Sequence, residues 1–372
     1  MEPSGKGAKK ILIVGEFPGR DESVEGRQFV GPSGALLRRL LLRCGVTMRE
    51  DCILTNALSC SPPGNFVRDE QAVEWCRPLV LRAIERFEPT VIIPLGKRAV
   101  RSVIGHLWKE DTGGIKRWAG WKIPNRKPNA WIVPSINPAY VLRQQEQDGR
   151  YKDGGLSERY LEHHLAEAVA LAGTRPWKEV PDYSKVDILH DDSQAERAIL
   201  DAIKADRVTA WDLETNCLKP HSDVARIVCC SISNGLRTFT FFWRGKAVAA
   251  MRKFLASSVR KVASNMVFED AWAKFVIKQP VNNWYWDTML MAHVLDCRRE
   301  ITSIKYQGFV LTGQPDYDSH LRQHLQSEKG AHAVNRIDEI DPNILAKYCG
   351  LDSRLEWEVG KIQSQRLGIP WE

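Results

Sequence analysis

A chain of 372 residues with 43% hydrophobic and 27% charged residues has the composition of a soluble globular protein and the length for two or three domains with real cores. No apolar run reaches membrane-spanning length, the opening MEPSGKGAKK lacks the apolar centre of a signal peptide, and nine scattered cysteines do not form a disulfide framework, so a cytoplasmic protein with reduced thiols is expected. A formal net charge of +7 points to a polyanionic partner, and thirteen tryptophans offer stacking surfaces for unpaired bases.

Residues 10–15, KILIVG, predict a strand that runs into the punctuated loop GEFPGRDE. After GRQFVGPSG, the leucines of ALLRRLLLRCG recur at helical spacing until Gly45. Residues 53–56 predict a second strand, 70–87 a helix, 90–95 a third strand and 97–104 a helix, with a further strand at 131–134 before Ile136-Asn137-Pro138-Ala139 and one helix ending near Gly173. Alternation of this kind predicts a parallel sheet covered on both faces, with ligands at the loops that follow the carboxyl ends of the strands. Residues 174–185, TRPWKEVPDYSK, carry two prolines and mixed charge without periodicity and mark a linker. The expected organisation is a first domain over 1–173, a linker at 174–186 and a second domain over 187–372. In the second domain the pattern predicts a helix from Ser193, a strand at 208–213, a hairpin over 226–243 turning at Asn234-Gly235, and helices to the end.

The strand at 208–213 continues into Asp212-Leu213-Glu214. Side chains alternate across a strand, so Asp212 and Glu214 share a face. Two carboxylates so close repel unless a cation sits between them, and a hard divalent ion takes such oxygen ligands. On its own the pair also fits a solvated strand end. Downstream follow VASNMVFEDAWAKF, WYWDTMLMAHVLD and LAKYCGLDSRLEWEV, and in the last of these Tyr348 and Asp352 stand four apart on one helix face.

Those stretches, in that order, resemble the 3′→5′ proofreading exonuclease domain of family A DNA polymerases, in the tyrosine branch of the DEDD superfamily, over roughly the second half of the chain. The resemblance implies a ribonuclease H-like fold with a mixed sheet and two Mg²⁺ or Mn²⁺ ions that activate a water and stabilise the departing 3′ oxygen. It makes Asp212, Glu214, Glu269 and Asp352 the metal ligands and Tyr348 the residue that orients the water. The middle motif departs from the usual N-x-x-F-D, since Asn265-Met266-Val267-Phe268 is followed by Glu269 and then Asp270. Glu269 takes the aspartate position by register, as in phage relatives, with Asp270 the fallback if the helix starts one residue later. Asp287 is expected to start a helix or support the ligands rather than bind metal. Nothing after Glu372 supplies the several hundred residues of a polymerase, so any synthesis is expected from a separate chain.

In the first half, Gly15-Glu16-Phe17-Pro18-Gly19 with Glu22 and Gly26-Arg27-Gln28-Phe29-Val30-Gly31, then Asn56 in ILTNALSC, then Asn137-Pro138-Ala139, resemble family 4 uracil-DNA glycosylases over residues 10–172. The resemblance implies a parallel-sheet, three-layer α/β fold and a pocket for a flipped uracil. Phe29 would stack on the base, Asn56 would read its edge, and Glu16 or Glu22 would position water. Asn137 stands where the family has a histidine that donates to the developing oxyanion, which weakens excision without excluding it. Phe17, where the family has alanine or glycine, is expected to crowd the pocket. Cys60 and Cys76 match two of the four ligands of the family's four-iron four-sulfur cluster; the other two belong in a C-x-x-C that MEPSGKGAKK lacks, and Cys44 and Cys52 are off pattern. The chain is therefore expected to lack the cluster and to keep buried apolar cysteines.

The combined expectation is an α/β protein of phage type. A glycosylase-like DNA-binding module precedes a metal-dependent 3′→5′ exonuclease that acts on single-stranded or frayed 3′ ends in replication or repair, in the host cytoplasm if phage-encoded. Two alternatives are a non-catalytic DNA-binding accessory subunit of a separate polymerase, and a bifunctional enzyme that also excises uracil.

Overall fold

The computed structural model describes residues 1–65, 67, 69–148, 155–327 and 333–372. The chain forms two compact units, Met1–Val180 and Pro181–Glu372, dividing inside the proline-marked stretch at 174–185. Among the described residues no helix is long and apolar enough to cross a membrane.

The first unit is built on five strands, β1 (Ile11–Gly15), β2 (Cys52–Asn56), β3 (Val91–Pro94), β4 (Ile123–Asn125) and β5 (Ala130–Ile132). They lie in the order β2-β1-β3-β5-β4, with every pair parallel except β4 with β5. A strand buried on both faces has no polar side to show, which is why β1 and β3 read as unbroken apolar runs. The leucines of the helix Pro32–Arg43, with Leu161 and Leu165 of the helix Gly155–Ala170, close one core over Ile11, Ile13, Leu54 and Ile93. The single helix expected up to Gly173 is two, Pro138–Asp148 and Gly155–Ala170.

The second unit holds a mixed sheet of β6 (Asp187–Leu189), β7 (Thr209–Thr215), β8 (Ile227–Ser233), β9 (Thr238–Phe242), β10 (Lys261–Ala263) and β11 (Trp284–Asp287), in the order β11-β10-β7-β8-β9-β6. The central strands β7, β8 and β9 are antiparallel, while β10 pairs with β7 and β11, and β6 with β9, in parallel. The turn between β8 and β9 is held by Asn234, whose Oδ1 accepts the N–H groups of Leu236 and Arg237. Strands β10 and β11 interrupt the stretch expected to be helical to the end. They are short and carry no period of their own; β11 is the WYWD that opens a run whose remainder, Thr288–Leu295, is helical.

Alternation along β7 decides where the acids go. Trp211 and Leu213 join the core formed with the helices Asp192–Ala205 and Gly245–Ala256. Ala210 lies on the other face, in a cluster with Trp357 of the long helix Pro342–Leu367, and Asp212 and Glu214 share its parity. That helix is tied across the sheet by hydrogen bonds from Ser231 Oγ to the Cys349 carbonyl (2.7 Å), from Thr240 Oγ1 to the Ala346 carbonyl (2.8 Å), and from its own Trp357 Nε1 to the Val208 carbonyl (2.9 Å). The chain is thus an α/β protein of two domains, one on a mostly parallel sheet and one on a mixed sheet.

Candidate active site

In the first unit the loops after β1, β2, β3 and β5 meet at the carboxyl edge of the sheet, where ligands of such sheets bind. They enclose a cavity of about 420 Å³ lined by Glu16, Phe17, Phe29, Asn56, Arg98 and Asn137, with the buried Glu22 at its margin. Gly15 lets this wall close, because a Cβ there would stand 2.3 Å from Asn56 Oδ1 and 2.9 Å from Phe29 Cζ. Glu16 is anchored at both oxygens: Oε1 accepts the Arg98 N–H (3.0 Å) and Oε2 accepts Asn137 Nδ2 (3.0 Å). Asn137 Oδ1 in turn accepts the Ala139 N–H (2.9 Å), which fixes the amide so that Nδ2 is the donating end. Glu22 Oε1 accepts the Gly31 N–H (3.1 Å) and braces the loop.

Phe17 does not crowd the cavity. Its ring packs on Leu58, Val67 and Val73, with the Arg98 guanidinium 5.9 Å from its centroid, and it forms a wall beside open space. Apolar neighbours outside the pocket give the ring a place that the sequence does not show.

The thiols fit an iron-sulfur cluster poorly. Cys76 packs on the same apolar group as Phe17, whereas Cys60 is exposed rather than buried. Cys52 is buried, which pushes its pKa up to about 12, and Cys44 packs against the core; neither is a ready thiolate. Among the described residues, the set of three or more metal-ligating groups close enough to share an ion is Asp212, Glu214 and Cys349, with no cysteine of the first unit. With two of four thiolates in place, anaerobically purified protein is expected to carry far fewer than about four irons and four sulfides per chain. Stoichiometric iron and sulfide, lost on Cys60→Ala, would refute this.

In the second unit, ligand atoms of Asp212 and Glu214 on β7 and of Cys349 on the long helix lie within 4.8 Å of one another. One turn beyond Tyr348, Asp352 is 5% exposed, and its Oδ1 accepts from both the Lys305 ammonium and the Tyr317 hydroxyl, which are themselves 2.9 Å apart. Glu269, 2% exposed in the first turn of the helix Met266–Trp272, lies near enough to Asp212 for the two charges to interact; its Oε2 and Asp212 Oδ2 are buried with no hydrogen-bond partner among the described residues. Asp270 points elsewhere, in an ion pair with Lys274 (2.5 Å) and accepting Trp284 Nε1 (3.4 Å). Asp287 caps the helix Thr288–Leu295 through the Met289 and Leu290 N–H groups and also accepts those of Asn265 and Met266.

Burial and the crowding of the acids set the electrostatics. Burial first, and the Asp352 charge second, push Asp212 up to about 8, against the pull of Lys305. Burial and then Asp212 raise Glu214 and Glu269 well above the usual carboxylate range. Burial and the Asp352 charge hold the Tyr348 hydroxyl well above its ordinary pKa, so it stays protonated and able to donate a hydrogen bond. Divalent cations fit this donor set, which is all hard oxygen apart from one thiol and has buried oxygens without a partner among the described residues.

A stability effect follows. The folded, metal-free chain keeps protons that the unfolded chain releases between about pH 4 and pH 8, so stability is full below that window and falls as pH rises through it. In EDTA the thermal midpoint of the second unit is expected to fall by on the order of 5 °C from pH 5 to pH 8, with Mn²⁺ restoring it and Asp212→Asn flattening the slope. A midpoint indifferent to pH in EDTA would contradict the cluster's protonation.

Three partners escaped the sequence reading: Lys305, Tyr317 and Glu356. Glu356 carried a usable signal, since Tyr348, Asp352 and Glu356 repeat at four-residue steps on one helix. Tyr317 lies outside any helix or strand, where no period announces it.

A carboxyl edge of a parallel sheet that brings two acids, two asparagines and two phenylalanine rings around one cavity defines an α/β small-ligand pocket. The family model of the uracil DNA glycosylase superfamily matches residues 3–163, and through that region the chain belongs to this superfamily. Curated relatives are type-4 uracil-DNA glycosylases. That of Saccharolobus solfataricus is 33% identical over 141 residues, covering 37% of this chain and 64% of the relative, and that of Archaeoglobus fulgidus is 33% identical over 150 residues, covering 40% and 74%. That of Pyrobaculum aerophilum is 33% identical over 174 residues, covering 42% and 85%. The chain thus spans just under two thirds of the first of these relatives and more of the other two. Among solved structures, the catalytic core of RRP6 from Trypanosoma brucei aligns with a TM-score of 0.35 at 18% identity, over 49% of this chain and 47% of that one. Brucella melitensis NrnC aligns with a TM-score of 0.37 at 17% identity, over 50% and 82%. Likenesses this distant leave the chemistry to be argued from residues.

Proposed function

We propose that the chain is a DNA-processing protein whose second unit is a metal-dependent 3′→5′ exonuclease on a ribonuclease H-like fold and whose first unit is a glycosylase-like DNA-binding module. The carrying observation is the approach of Asp212, Glu214 and Cys349 to within 4.8 Å beside Tyr348, with Asp352 and Glu269 near enough to interact with Asp212 by charge and with buried oxygens of Asp212 and Glu269 that have no partner among the described residues. Those four carboxylates would hold two divalent cations, which supply Lewis-acid activation of water and neutralise charge on the departing oxygen. The Tyr348 hydroxyl orients the attacking water by hydrogen bonding. The water oxygen bonds to the terminal phosphorus as the bond to the preceding nucleotide's O3′ breaks, releasing a nucleoside 5′-monophosphate and a new 3′ hydroxyl. Lys305 and Tyr317 hold Asp352 by one oxygen and leave the other for the metal side.

The net charge of +7 and membership of the uracil DNA glycosylase superfamily support DNA as the polyanion. Single-stranded or frayed 3′ ends suit a site that needs one free terminus. We read the chain as phage-type, working in the host cytoplasm in replication or repair beside a separate polymerase. The direct test is Mg²⁺-dependent release of mononucleotides from a 3′-labelled single strand by the full chain, with a 3′-blocked strand as control. Endonucleolytic fragments, or no release with Mg²⁺ or Mn²⁺, would overturn the reading.

A further inference from the structure

Glu356 sits one turn past Asp352 on the long helix and is 2% exposed. Its Oε1 accepts the Ser264 N–H (3.1 Å), which pins the carboxyl to the turn after β10, and its Oε2 is buried with no hydrogen-bond partner among the described residues. Two residues on, Glu358 shows what an ordinary acid of this helix does: it pairs with Arg354 at 2.5 Å. Glu356 has no such basic partner among the described ion pairs, and the ammonium nearest the cluster, that of Lys305, is spent on Asp352. A buried carboxyl of this kind is costly unless a proton or a cation satisfies it.

We propose that Glu356 is a fifth carboxylate of the metal centre, binding a divalent cation through Oε2 alongside the partnerless oxygens of Asp212 and Glu269. The inference rests on the metal-dependent reading above. The electrostatics agree, because after burial the charges that act most on Glu356 are those of Asp212, Glu269 and Asp352. Charge count agrees as well. Asp212, Glu214, Glu269, Asp352 and Glu356 against Lys305 leave four negative charges, the number that two divalent ions balance. The extra carboxylate also suits Glu269, which reaches one methylene further than an aspartate and would shift an ion it binds. A fifth ligand fixed by Ser264 from the neighbouring helix would hold that ion in place. With the site already neutral, Glu356 is expected to tighten metal binding more than it speeds hydrolysis of an anionic substrate.

The test is a Mn²⁺ titration of the full chain, followed by calorimetry and by the electron paramagnetic resonance of free Mn²⁺. Glu356→Gln keeps the acceptor for Ser264 and the side-chain volume; it is expected to weaken the tighter Mn²⁺ site by about tenfold or more. Glu356→Asp, which keeps the charge with a shorter reach, is expected to lose less. Circular dichroism of each variant checks the fold. Equal Mn²⁺ affinity in wild type and Glu356→Gln would overturn the proposal and leave Glu356 a protonated acid bonded to Ser264, with the nuclease reading untouched. Tight Mn²⁺ binding weakened by Glu356→Gln, in a chain that releases no nucleotides, would uphold the site and overturn the nuclease reading instead. No Mn²⁺ binding by the wild type would overturn both.

Discussion

Asp212→Ala is expected to reduce nucleotide release from a 3′ end by on the order of a thousandfold or more while DNA binding persists. Asp212 stands where the other acids meet: its charge is felt by Glu214, Glu269 and Glu356, and its Oδ2 is one of the oxygens without a partner. If Asp212 binds metal as proposed, its loss would forfeit several kcal/mol of transition-state charge stabilisation, and each 1.4 kcal/mol or so is about a factor of ten in rate. Strand affinity is set mainly by Lys and Arg contacts to phosphate, which the substitution leaves alone. Tyr348→Phe is expected to cost less, about a hundredfold, because it removes an orienting hydrogen bond and no ligand. The neighbouring pair gives an internal control: Glu269→Ala is expected to be severe and Asp270→Ala close to wild type, since Asp270 is committed to Lys274 outside the ring. Quench-flow release from a labelled strand, with affinity measured by anisotropy, separates these outcomes. Wild-type-like digestion by Asp212→Ala, or an Asp270→Ala defect deeper than that of Glu269→Ala, would remove the assignment.

How much of this was legible beforehand depended on whether a residue announced itself through a period. The apolar runs of β1, β3 and β7 and the leucine spacing of Pro32–Arg43 state their element and its buried face directly, and the alternation of Trp211, Asp212, Leu213 and Glu214 already sorts core from site. The hairpin of β8 and β9 follows from Asn234-Gly235 between two alternating runs. Strands β10 and β11, three and four residues long, exist because neighbouring backbones pair with them, a tertiary cause that leaves no local trace. The same holds for Lys305 and Tyr317, brought to Asp352 from 47 and 35 residues away along the chain. Phe17 was misread for the opposite reason. A substitution seen only in sequence looks like a volume added to the pocket, whereas the fold gives the ring Leu58 and Val73 to lie on. Sequence position says which side chain is present, and packing decides which way it turns.

That reorientation alters what to expect of the first unit. With Phe17 against the wall, a cavity of about 420 Å³ remains, so bulk does not exclude a flipped base, and any uracil excision is expected to be limited by the donor at residue 137. Asn137 gives one N–H of its amide to Glu16 and keeps its carbonyl on the Ala139 N–H, which leaves a single N–H to meet charge developing on a departing base. Removing one oxyanion donor costs about 3 kcal/mol, roughly a hundredfold in rate, and a neutral amide tied to a carboxylate recovers part of that. On a uracil-containing single strand, with Asp212→Ala included to silence the second unit, excision is therefore expected to be slow, Asn137→His to raise it by up to about a hundredfold, and Phe17→Ala to change it little. Single-turnover rates measured after alkaline cleavage of the abasic product read all three. Fast multiple-turnover excision with Asn137 in place would show that the amide suffices and make the chain bifunctional. A requirement for Phe17→Ala before Asn137→His has any effect would instead show that the ring swings into the cavity when DNA binds, and the donor would no longer be the limiting group.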